Sequence, residues 1–249
     1  MAGRTIAIGD VHGEAEHLER LWSRLPPLDR DDTVVFLGDY IDRGRGSRVV
    51  LERLMRWHER TPARLVFLRG NHEAAWLKVV DGGGWPGFVV PQNNGCWQTA
   101  AAYGVPVESP EEPGRAFYVA LLAGSFFPKE HLDWMRKLAW YYEDAHAIYV
   151  HAGLPRIGGR FVHPAEEPGH PDLVWQRDLE FFRGYRGKRV VCGHTATVQL
   201  PQELSTYTPD DPTDTWIRGD VIVVDTKCGK CGGYLSAIEL PALRVHESR

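Results

Sequence analysis

A chain of 249 residues with 29 basic and 33 acidic side chains carries a formal charge of −4, with 43% apolar and 25% charged residues. That make-up excludes intrinsic disorder, and the small negative charge argues against a nucleic-acid binder working through a broad basic face. No stretch approaches the roughly 18 consecutive apolar residues of a spanning helix, and no signal-peptide core follows Met1, so a cytoplasmic protein without membrane contact, one domain over residues 1–249, is expected.

Along the chain, apolar runs rich in β-branched residues predict buried strands at Thr5 to Gly9, Thr33 to Gly38, Arg64 to Arg69, Ala147 to His151, Arg189 to Gly193 and Val221 to Asp225. Between the first two, Leu18, Leu21, Trp22 and Leu25 fall at helical spacing, and Pro26-Pro27 ends the helix. A second helix is expected to be opened by Ser47, with Val50, Leu51, Leu54 and Met55 on one face, and a third over Lys129 to Leu138. Strand alternating with helix is the signature of βαβ units, so the fold class is α/β. The middle is punctuated by Asp81-Gly-Gly-Gly-Trp-Pro and Pro91 to Gly95, and the Pro-rich, acidic segments Gly158 to Pro171 and Pro201 to Asp214 read as rims or lids. Four cysteines are too few for a disulfide-built fold. Cys228-Gly-Lys-Cys231 has the spacing of half a zinc ribbon but lacks the other half, so free thiols are expected.

The chemistry gathers at the strand ends. Gly9-Asp10-Val11-His12-Gly13, Gly38-Asp39-Tyr40-Ile41-Asp42-Arg43-Gly44, Gly70-Asn71-His72-Glu73, His151-Ala152-Gly153 and Gly193-His194-Thr195 each follow an expected strand. Ligands of open α/β sheets bind beyond the carboxyl ends of strands, so the five clusters are expected to converge on one crevice. Carboxylates, imidazoles and an amide oxygen are a donor set suited to manganese, iron or zinc rather than calcium or a thiolate site.

The ordered series of all five motifs resembles the calcineurin-like metallophosphatases, specifically their phosphoprotein phosphatase branch, from Asp10 to about Asp225. The resemblance implies a β-sandwich flanked by helices and two divalent cations, with manganese expected. It implies that Asp10 and His12 hold the first metal, that Asp39 bridges to the second, and that Asn71, His151 and His194 complete the second site. It further implies that His72 is the catalytic imidazole with Asp42 as its partner, while Arg43, Asn71 and Arg177 of Trp175-Gln176-Arg177-Asp178 hold the phosphate. The chemistry is coherent. Paired cations lower the pKa of a water nucleophile, guanidinium forks bind phosphoryl oxygens, and a protonated imidazole serves a departing alkoxide.

Phosphorylated proteins or small phosphate esters are therefore the expected substrates. Dinucleoside polyphosphate hydrolysis is the alternative, and a non-catalytic binding module is disfavoured because every motif position holds a competent residue. The dinucleoside polyphosphate branch lacks an aspartate at the Asp42 position and has Asp where this chain has Glu73, which favours the phosphatase. Glu73 itself reads as a helix cap. His17, His58, His131, His146 and His246 read as surface or structural histidines, His163 and His170 as loop residues, and Trp140-Tyr141-Tyr142 as core. One departure stands out: in Asp225-Thr-Lys-Cys-Gly-Lys-Cys231, where relatives have Asp-Thr-Gly, Lys227 is expected to alter the turn and add positive charge to the rim.

Overall fold

The apolar runs are unbroken because the strands they form are covered on both faces. In a computed structural model describing residues 3–107, 109, 113–205, 211 and 213–249, the strands in chain order are β1 (Thr5–Ile8), β2 (Thr33–Phe36), β3 (Arg64–Phe67), β4 (Tyr141–Glu143), β5 (Ile148–Val150), β6 (Arg156–Ile157), β7 (Arg160–Phe161), β8 (Val190–Cys192), β9 (Trp216–Arg218), β10 (Val221–Val223), β11 (Ser236–Leu240) and β12 (Arg244–Glu247). Among the described residues they make two five-stranded sheets, ordered β12-β11-β1-β2-β3 and β4-β5-β8-β10-β9, with β6 and β7 a separate hairpin.

The sheets lie face to face, and the alternation of each strand sorts its side chains. Ala7, Val35, Val191, Ile222 and Ile238 meet in the layer between the sheets. Ile6, Ile8, Val34 and Phe36 turn the other way, onto the helices α1 (Ala15–Arg24), α2 (Ser47–Met55), α3 (Asn71–Lys78), α4 (Pro86–Val89), α5 (Cys96–Ala102), α6 (Gly114–Ala123) and α7 (Lys129–Arg136). On the second sheet, Val190, Cys192, Val221 and Val223 pack with Phe181 and Phe182 of α9 (Leu179–Gly184), which follows α8 (Asp172–Trp175). The result is the expected sandwich flanked by helices.

β1, β2 and β3 run parallel, and so do β5, β8 and β10. All six expected strands are present, and their carboxyl ends carry the five motifs and Asp225. Two hydrogen bonds tie those ends together across the sandwich, from His151 Nδ1 to the carbonyl of Leu37 (2.9 Å) and from the His194 amide to Asp10 (3.2 Å). The crevice thus lies between two sheets rather than along the edge of one.

Several local expectations change. Ser47 does not cap α2; Gly46 precedes the helix, and the Ser47 hydroxyl accepts the Asp42 amide at 3.0 Å. Helices α5 and α6 occupy stretches with no expected element, and β11 and β12 lie beyond the last expected strand. Tyr141 and Tyr142 belong to β4, with Tyr142 packed on the layer between the sheets. The 158–171 segment runs along β4, where His163 Nε2 meets Glu143 at 2.9 Å, and contributes nothing to the cleft lining. Of the 201–214 rim, residues 206–210 and 212 lie outside the described residues. Cys228 is buried and Cys231 exposed, and neither is in a disulfide. Among the described residues no helix is long and apolar enough to cross a membrane.

Candidate metal centre and phosphate cleft

Tight turns at the strand ends place the site. His12, Asp39, Asp42, Arg43, His194 and Lys227 all have positive φ, between 46° and 69°. Such backbone is uncommon outside glycine and gathers where side-chain direction matters more than local comfort. The neighbouring glycines are there for closeness: a Cβ on Gly70 would lie 2.1 Å from Asp39 Oδ1, and one on Gly193 would lie 2.1 Å from Asp10 Oδ1.

Asp10, His12, Asp39, Asn71, His72, His151 and His194 are all buried and come together. Asp39 is the hub. Its Oδ2 lies 3.4 Å from His12 Nε2 and 3.8 Å from His72 Nε2, while its Oδ1 lies 3.4 Å from His151 Nε2. Asn71 Oδ1 sits 3.0 Å from His151 Nε2 and 2.8 Å from His194 Nδ1. Asp10 is 3.7 Å from His12 Nε2 on the far side.

At His12 and His151, acceptors face one another. His12 and His151 turn Nδ1 to the backbone carbonyls of Ile41 (3.0 Å) and Leu37 (2.9 Å), which fixes the proton there and leaves an Nε2 lone pair on each. Burial pushes His12, His151 and His194 below the ordinary imidazole value, so each stands neutral. His12 Nε2 and His194 Nε2 have no hydrogen-bond partner among the described residues. The Nε2 lone pairs of His12 and His151, turned towards carboxylate and amide oxygens, suit a cation, and two groups, His12-Asp39-His72 and Asp39-His151-His194, lie within ligating reach.

His72 differs from the other three imidazoles. Burial pulls it the same way, but the carboxylates of Asp39 and Asp42 outweigh burial and its value rises. Its Nδ1 is 2.6 Å from Asp42 Oδ2, and Asp42 is itself caged by Thr99 Oγ1 (2.6 Å) and Trp76 Nε1 (3.0 Å). Thr99 and Trp76 escaped the sequence reading because neither belongs to any of the five motifs. Glu73 does more than cap α3: its carboxylate accepts the amides of Gly70 (3.0 Å), Asp39 (3.0 Å) and Tyr40 (2.8 Å), and so holds the Asp39 turn.

Above the cluster opens a cleft of about 400 Å³ lined by Arg43, Arg177, His194, Asp225, Lys227 and Lys230. Arg177 reaches it from the short link between α8 and α9. There Gln176 is anchored to the Leu154 carbonyl (3.0 Å) and the Asp178 carboxylate caps α9 through the Glu180 amide (2.9 Å). Arg156 and Arg160, the other arginines nearby, are paired with Asp178 and Glu166 and line a different hollow.

Residues 3–198 match the family described as calcineurin-like phosphoesterase. The chain belongs to that family. With its buried histidine and aspartate groups it is a metal-dependent phosphoesterase. Over 74 residues, 30% of this chain, it is 36% identical to serine/threonine-protein phosphatase PP1-1 of Saccharomyces cerevisiae, and equally so to the catalytic subunit of serine/threonine-protein phosphatase 6 of Drosophila melanogaster. The aligned stretch spans 24% of each relative's length. The fold superposes on "a putative diadenosine tetraphosphatase" with a TM-score of 0.59 at 22% identity, covering 99% of this chain and 93% of the other. On the cold-active protein-tyrosine phosphatase of a psychrophilic Shewanella species the TM-score is 0.53 at 17% identity, covering 98% of this chain and 77% of the other.

Proposed function

We propose that this calcineurin-like phosphoesterase is a two-metal phosphomonoesterase acting on phosphoserine or phosphothreonine in proteins. The observation that carries the reading is the shared carboxylate: Asp39 turns one oxygen to His12 and the other to His151, so a single side chain serves both ligand groups. Asp10, His12 and Asp39 would hold one cation, and Asp39, Asn71, His151 and His194 the other. When bound, such a pair supplies Lewis acidity that activates a water nucleophile and offsets phosphoryl charge; the mixed oxygen and nitrogen donor set suits manganese, the metal expected here, as well as iron and zinc. The residues do the rest. Arg43 and Arg177, with the Asn71 amide, orient the phosphoryl oxygens. His72 Nε2, with Asp42 holding Nδ1, carries the proton that the leaving alkoxide takes.

Asp42 and Glu73, and the likeness to two serine/threonine phosphatases, support a phosphomonoester over a dinucleoside polyphosphate. The test is one assay of a phosphoserine peptide, an aryl phosphate and a dinucleoside tetraphosphate with manganese, repeated after chelation. Hydrolysis of the peptide should predominate, vanish on chelation and return with metal. Full activity in metal-free protein would sink the mechanism, and predominant cleavage of the dinucleotide would sink the substrate.

Arg43→Ala and Arg177→Ala should each lower kcat/KM about 10- to 100-fold, the worth of a charge-assisted hydrogen bond to phosphate. Metal content should not change, because neither arginine is among the residues assigned as ligands. Elemental analysis beside the kinetics checks this, and metal loss in either variant would contradict the assignment.

A further inference from the structure

The metal cluster and the two arginines leave part of the cleft unexplained. Lys227 and Lys230 line the same 400 Å³ space as Arg43 and Arg177, which puts four cations around one opening. Among the described residues none of the four side chains is in an ion pair. The acid that shares the lining, Asp225, is engaged through Oδ1 with the Lys227 backbone amide at 2.9 Å. The charge of Arg43, then burial, pulls the Lys230 amine below its ordinary value against the opposing charge of Asp225. Like charges this close are costly when nothing anionic lies between them.

The loop that carries the lysines is fastened to the floor of the site. Lys227 sits at φ 65°, a left-handed conformation that a lysine adopts only when its surroundings impose it. The Lys230 amide closes a turn on the Lys227 carbonyl at 3.1 Å. Cys228 is buried beneath the turn, with Sγ 3.5 Å from the Val11 carbonyl between the two metal-cluster residues Asp10 and His12. Gly229 is pressed so close that a Cβ there would lie 2.8 Å from the His12 Cβ and 3.0 Å from that of Arg43. The backbone that carries the two lysines, three residues apart, is thus held at a fixed place beside the arginines. At about 400 Å³ the space falls within the ordinary range of ligand pockets, larger than one phosphoryl group needs.

We infer that Lys227 and Lys230 form a second anion subsite, selecting phosphate esters that carry another phosphate group within a few bonds of the one removed. The inference rests on the phosphomonoesterase reading and names its substrate class. Arg43 and Arg177 meet the phosphate over the metals, and the lysines meet its neighbour. Ammonium groups suit this role because the second phosphate is held and not turned over, so flexible point charges suffice where the reacting group needs planar forks. Two sources of such chemistry exist, a doubly phosphorylated peptide and a small bisphosphate ester.

The experiment compares kcat/KM, at fixed free manganese, in two matched pairs of alkyl esters: a phosphoserine peptide against the same peptide with a second phosphoserine next to it, and glycerol 1-phosphate against glycerol 1,2-bisphosphate. In at least one pair the substrate with the extra phosphate should be favoured about tenfold, chiefly through KM, as expected for one charge-assisted contact at a half-exposed site. The pair that shows the preference identifies the source. Lys227→Gln with Lys230→Gln should bring the ratio to within about twofold of one, and Lys230→Glu, on an exposed side chain, should drive it below one. The preference should also shrink as salt rises. A ratio near one in wild type, or an unchanged ratio in the variants with wild-type thermal stability, overturns the subsite. Failure to turn over any of the four compounds would overturn the phosphomonoesterase reading and the subsite with it, whereas turnover without preference overturns the subsite alone.

Discussion

Asp39→Asn is expected to lose metal from both positions at once and to lower kcat/KM on a phosphoserine peptide by at least about 10³-fold. The reason is geometric. Each carboxylate oxygen of Asp39 faces a different imidazole, and the substitution removes the negative charge that both positions share. The turn itself should survive, because the Asp39 and Tyr40 amides are held by Glu73 and not by the Asp39 side chain. Asp10→Asn makes the contrast. Asp10 meets only His12 among the imidazole rings, at 3.7 Å, and its loss should mainly weaken one position. Metal per chain by elemental analysis, with circular dichroism as a fold control, separates the two. Equal stoichiometry in wild type and both variants would refute the shared-carboxylate arrangement.

The second large effect concerns the leaving group. His72→Asn should cost roughly 10²-fold to 10⁴-fold on a serine phosphate, whose alkoxide must be protonated as it departs, and much less on a nitrophenyl phosphate, whose anion is stable. Asp42→Asn should show the same pattern in weaker form, because the imidazole remains but loses the partner 2.6 Å from its Nδ1. Distance alone would let His72 Nε2 join His12 and Asp39 around a cation, so metal content is the deciding measurement. Retained metal with a loss confined to the alkyl ester means an acid. Lost metal with equal losses on both esters would make His72 a ligand and put the proton donor elsewhere.

How much of this was legible in the sequence depends on how local the signal is. The six strands with their motifs could be read because double-sided burial forces unbroken apolar runs, and because each chemical residue directly follows its strand. Helix α6 could not be, since Gly114–Ala123 is apolar nearly all round and offers no clean stripe, though Phe117 and Leu121 are what it buries. β11 hides in Ser-Ala-Ile-Glu-Leu, where Glu239 falls on a strand whose five residues are all buried. In the site, Asp10, His12, Asp39, Asn71, His151 and His194 announce themselves through glycine-flanked motifs. The groups that hold them do not. Thr99 reaches Asp42 from 57 residues away, and no spacing rule connects the two. Glu73 gave a partial signal, because its place three residues after Gly70 is that of a reciprocal cap, and the cap contact is one of its several hydrogen bonds.

The pairing of β11 with β1 has a consequence for biosynthesis. Thr5 to Ile8 line up with Leu240 to Ala237, so β1 is completed on one side by a strand about 230 residues further along the chain. β2 can cover the other side early, as Thr33 to Phe36 follow closely. During translation at about 5–20 residues per second, the β11 side of β1 stays open for on the order of 10 to 50 s. For that interval a short apolar strand presents unpaired amides and carbonyls to any other extended chain, the condition that favours edge-to-edge association. Nascent chains stalled before residue 236 should therefore bind holdase chaperones through the β1 segment, and release should coincide with the emergence of Ser236 to Leu240.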